Sequence, residues 1–149
     1  MTKKEDMLKE MDMIQNIINR MASNSFLIKG WAITLVSVTL LLKGDKYQVL
    51  IAFIPLFTFW YLDTYFLWME RKYIILYNWI IANRLKTSEH LFDMNPHRFD
   101  NEKQYDIDSM KKVAVSKTLL SFYGSILAAI LIYCTIILLI PCLQSLCQK

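Results

Sequence analysis

Asp63 stands apart among the residues with chemical capacity because of where it falls. It lies about one helical turn inside an apolar run, 48–69, that is long enough to cross a bilayer, and a carboxylate there needs a counter-charge, a proton or water. Lys29 sits at a similar depth from the matching end of the preceding run, 26–42, so an antiparallel hairpin is expected to bring the two together. Such a pair serves either as a structural tie or as a charge lining a pore mouth. Gly30, Thr34 and Ser37 follow Lys29 at helical spacing, a small, weakly polar stripe that suits either close helix packing or a water path. A second group, Arg71, Lys72, Trp79, Arg84 and Lys86, mixes cations with an aromatic ring. It can serve as membrane-surface anchors, or as the place where an anion such as a nucleotide or short oligonucleotide binds.

Catalytic chemistry is not indicated. The sequence has no P-loop, dinucleotide-binding glycine pattern, zinc-protease motif or nucleophile elbow. Both histidines, His90 and His97, lie in one polar segment, and their spacing with Asp93 matches no metal-binding motif. No catalytic residue, metal or cofactor is expected, and the chain reads as a non-enzyme built for permeation or recognition.

The elements that must hold these residues are helical. Of 149 residues 55% are hydrophobic and 20% charged, with three glycines and three prolines, the composition of an all-α membrane protein. Three apolar runs, 26–42, 48–69 and 118–140, predict three transmembrane helices. Fourteen of the seventeen Lys and Arg residues lie at or before the start of the first run, Lys29 included, or between the second and third. That bias places the N-terminus and the middle segment in the cytoplasm and the C-terminus outside, in a multi-pass membrane protein. The expected divisions are a cytoplasmic amphipathic helix over 1–25, a transmembrane hairpin over 26–69, a cytoplasmic stalk and loop over 70–117, a third span over 118–141 and an external tail over 142–149.

The second span continues without a break from 47 to 85, and only its first half fits in about 30 Å of hydrocarbon. Its apolar cytoplasmic extension therefore needs a cover. Residues 3–22 supply one: Met7, Met11, Ile14, Ile18 and Met21 recur at spacings of four and three, above a charge-balanced polar face. Tyr73, Ile74, Tyr77, Ile80 and Ile81 are the expected counterpart, and the methionines suit a contact that can be remade. Ser23-Asn24-Ser25 is expected to end this helix before the first span, and Lys43-Gly44-Asp45-Lys46 to turn the hairpin. Residues 87–107 read as a solvated loop, with Asp108 or Ser109 capping the last helix, the one that forms the third span. Ser121, Gly124, Ser125 and Ala129 form a small-residue stripe for helix association, and Pro141 is expected to end the last helix. Cys142 and Cys147 then follow outside, free or disulfide-bonded.

The segments NRMASNSFLIKGW (19–31) and FWYLDTYFLWMERKYIILY (59–77) resemble small bacterial membrane effectors of anti-phage defence operons, closest in plan to the channel effectors of Hailong-type systems. That resemblance implies a homotetrameric channel, controlled at a cytoplasmic N-terminal helix by a nucleotide or short oligonucleotide from a partner nucleotidyltransferase. It covers about a third of the chain and carries over no ligand-binding residue. Two functions are therefore expected to compete: an oligomeric channel gated by its cytoplasmic helices, and a non-conducting adaptor that docks a soluble partner. A small transporter subunit is a third alternative.

Overall fold

The structure, a computed structural model, describes residues 2–42, 48–100, 105 and 108–147. The described residues contain helices and no strand: α1 (Lys3–Leu41), a 3₁₀ turn (Gln48–Ala52), α2 (Phe53–Asn83), the short α3 (Met110–Ala114) and α4 (Lys117–Cys147). Three of these helices, α1, α2 and α4, are long and apolar enough to span a membrane.

Local chemistry sets the helix ends. Thr2 and Glu5 form a reciprocal capping box, with the Glu5 amide donating to Thr2 Oγ1 at 3.3 Å and the Thr2 amide to Glu5 Oε2 at 2.9 Å. Pro55 falls in the first turn of α2, where its missing N–H would have no intrahelical partner. Ser109 Oγ accepts the Lys112 amide at 3.3 Å, but the helix it starts is the separate short α3 and not the last helix expected from the sequence, which begins at Lys117.

Two expected boundaries do not occur. Ser23, Asn24 and Ser25 lie within continuous α1, so the N-terminal helix and the first span are one element of 39 residues. Serine and asparagine end a helix only where backbone groups lack partners, and neither glycine nor proline interrupts the ladder here. Likewise α4 runs through Pro141 to Cys147, so most of the expected tail is helical. Proline removes one hydrogen bond, and an apolar helix has no better partner for its remaining carbonyls than its own amides. The 43–46 turn lies outside the described residues, as do the side chains of Cys142 and Cys147.

The chain forms two compact units, one of Met1–Phe26 with Thr64–Val113 and one of Leu27–Asp63 with Ala114–Lys149. In the second unit the described residues carry only three charges, Lys29, Asp63 and Lys117. Ala32, Val36, Leu56, Leu119, Tyr123 and Ile130 are buried, while Leu35, Val38, Ile54, Phe57, Leu131 and Ile132 are exposed, an outer face suited to lipid. The first unit is richly charged and centres on Ile14, Leu76, Ile80 and Phe99.

Candidate functional site

In the apolar unit, Asp63 is fully buried and meets two other helices. Lys29 Nζ of α1 lies 2.7 Å from Asp63 Oδ2, the pairing expected from their depths in the two runs. Tyr123 of α4 donates to the same oxygen at 3.1 Å and lies 3.2 Å from the Phe59 carbonyl. The Tyr123 ring stacks on Trp60 at 5.7 Å, and Trp60 Nε1 donates to the Ala114 carbonyl at 3.1 Å. One carboxylate thus gathers a cation and a phenol from two neighbouring helices, the arrangement a charge in hydrocarbon requires. Tyr123 was not anticipated: a single tyrosine inside an apolar run reads as bulk until its hydroxyl is seen to have a buried acceptor.

Gly30, Thr34 and Ser37 are exposed on α1, and Thr34 Oγ1 donates back to the Gly30 carbonyl at 2.9 Å. Space is open around Gly30 and Gly124, where an added Cβ would meet nothing within 4 Å. Ser37 shares a groove of about 280 Å³ with Ser125 and Ala129 of α4, alongside Ile33, Val36, Leu40 and Ile126. The groove therefore joins one member of the first small-residue stripe, Ser37, to two of the second, Ser125 and Ala129, while Gly30, Thr34, Ser121 and Gly124 do not line it.

The first unit holds the cytoplasmic candidates. Met7, Met11, Ile14 and Ile18 pack against the cluster containing Tyr73, Leu76, Tyr77 and Ile80, while Met21 is half-buried outside it. Ile74 and Ile81, expected in this seam, are instead 39% and 49% exposed. They lie on the opposite helical face from Leu76 and Ile80. The segment expected to be a solvated loop supplies part of the cover: Phe99 is 2% exposed and joins the seam.

The basic residues proposed for an anionic ligand do not form one patch. Arg71 pairs with Asp108, which Lys112 also contacts. Hydrogen bonding from Lys112 and the charge of Arg71 hold the Asp108 carboxyl below its ordinary value, against an opposing effect of desolvation. Lys72 is buried, with Nζ 2.7 Å from Asp100 Oδ2, 2.9 Å from His97 Nδ1 and 3.9 Å above the Trp68 ring. Burial pushes the Asp100 carboxyl up, but hydrogen bonds from Lys72 and His97 outweigh it and leave its pKa lowered. Lys86 is exposed.

Arg84 is 2% exposed and Glu10 fully buried. Arg84 binds Glu10 through both Nε and Nη2 and also donates to the carbonyls of Thr87, Glu89 and His90. The Phe92 amide donates to Glu10 Oε1 at 2.6 Å. Trp79 lies beneath both Arg84 and Arg98, at 5.3 and 4.2 Å from their guanidinium carbons. Glu10 is a second residue the sequence does not single out, since there it is one charge on the charge-balanced polar face of residues 3–22. No family model, curated protein or solved structure matches the chain.

Proposed function

We propose that this protein is an oligomeric membrane channel whose conductance is controlled by the N-terminal part of α1 where it packs on the cytoplasmic end of α2. One observation carries the reading: Gly30, Thr34, Ser37 and Ser125 stay exposed on helices otherwise suited to lipid. Three spans are too few to enclose a pore, and the hydroxyls of Thr34 and Ser125 already donate to carbonyls of their own helices, so this uncovered small-residue face suits close approach by neighbouring copies or a water path. The positive-inside bias supports an N-terminus in the cytoplasm. The resemblance of 19–31 and 59–77 to defence-operon effectors supports a bacterial inner-membrane setting, a tetramer, and a nucleotide or oligonucleotide regulator made by a partner nucleotidyltransferase.

The test is ion flux from liposomes containing the purified full-length chain, beside a Ser37→Leu variant. Flux that Ser37→Leu reduces at least severalfold supports the reading. Absence of flux from an assembled oligomer returns the protein to the adaptor reading, which is favoured by the exposed apolar residues Ile74, Ile81 and Leu85 on the first unit.

A further inference from the structure

The surroundings of Glu10 have the form of a receptor for an oxyanion. Three donors converge on one carboxylate: Arg84 Nε and Nη2 in a planar fork, and the Phe92 amide from the following loop. The fork is preorganised without Glu10, because the remaining Arg84 donors are fixed by the carbonyls of Thr87, Glu89 and His90 at 3.4, 2.7 and 3.1 Å. The loop bends sharply to present its amide. His90 and Phe92 both adopt left-handed backbone angles, with φ of 54° and 59°, a conformation histidine enters comparatively readily but one that is unfavourable for phenylalanine and persists where its surroundings impose it. Glu10 is delivered to this receptor by α1, 74 residues away in sequence.

The geometry points to a phosphate- or carboxylate-binding site that the chain fills with its own Glu10, making this contact an autoinhibitory latch. An external oxyanion bound to the fork keeps Glu10 out, and the N-terminal part of α1 loses its ionic attachment while the Met7, Met11, Ile14 and Ile18 seam remains. The binding site stands on its own geometry. Its consequence for conductance rests on the channel reading above.

The experiment uses full-length protein in phospholipid-free detergent. Thermal unfolding is followed as inorganic phosphate is added, with sodium chloride at matched ionic strength as control. Glu10→Ala empties the receptor, and phosphate at ten times its half-saturating concentration should raise Tm by about 3–6 °C. Glu10→Gln, whose amide fills the same space without the charge, should show a smaller saturable shift and carries the test should Glu10→Ala not fold. Wild type, in which phosphate must displace Glu10, should shift only at phosphate concentrations at least tenfold above those that Glu10→Ala requires, and no shift at any concentration would reject the latch. Equal shifts in wild type and variants, equal shifts with chloride, or no shift in either variant would overturn the site. A shift obtained only with micelles doped with an anionic phospholipid would identify a lipid headgroup as the source of the phosphate. Liposome flux separates the two claims: a phosphate-dependent shift in a Glu10→Ala protein that never conducts keeps the receptor and rejects the channel.

Discussion

Asp63 and Glu10 are both buried carboxylates bound to a cation, yet only one was legible from the sequence. Asp63 interrupts an apolar run, where a charge is conspicuous and Lys29 is its best-placed counterpart. Glu10 sits among alternating charges on a short amphipathic segment, and no local periodicity links it to Arg84. The two pairs predict different mutational costs. Asp63→Asn leaves Lys29 without its counter-ion and should destabilise the protein by roughly 3 kcal/mol, toward the lower end for a broken buried pair because Tyr123 can still hydrogen-bond the amide. The swapped variant Lys29→Asp with Asp63→Lys should recover part of that loss in thermal unfolding. Equal losses in the single and swapped variants would count against direct pairing. Acid should act on the first unit instead. Asp100 and Asp108 have lowered carboxyl values, so their stabilisation is fully present above pH 3.8, the ordinary aspartate value, and is lost as pH falls through their depressed values. Asp100→Asn should flatten this acid limb in a pH titration of Tm, whereas an unchanged limb would place the acid sensitivity elsewhere.

At the scale of elements, helix identity was legible because apolar run length and hydrophobic spacing are strong signals. Helix boundaries were less so: Ser23-Asn24-Ser25 and Pro141 are terminators only when the surrounding backbone lets them be. The cover over the C-terminal part of α2 was half legible. The 4–3 spacing of Met7, Met11, Ile14 and Ile18 gave one layer. Phe99, one of several scattered apolar residues in a polar segment, gave no periodic signal for the other. The resulting asymmetry of α2 can be measured on consecutive residues. Ile80→Ala removes a fully buried side chain and should cost about 2–4 kcal/mol, whereas Ile81→Ala, at a position 49% exposed, should cost under about 1 kcal/mol. Comparable losses at both positions would mean that another chain covers the outer face.

For the whole molecule, the spans leave their small residues uncovered, and Gly124 offers a clean test of what meets them. A Cβ there meets no heavy atom within 4 Å, so Gly124→Leu should leave the protomer folded and act mainly between copies. A lower oligomer mass in detergent by light scattering is the expected result, and an unchanged mass would move the interface off this face of α4. Conductance and its control by α1 are the central claim, and single-channel recording of purified protein in planar bilayers tests it most directly. Wild type is compared with Ile14→Asp/Ile18→Asp, which puts two carboxylates into the seam. The account predicts discrete conductance events whose open probability changes in the variant while the oligomer mass stays constant. Silent bilayers from both proteins, each assembled to the same mass, would contradict it.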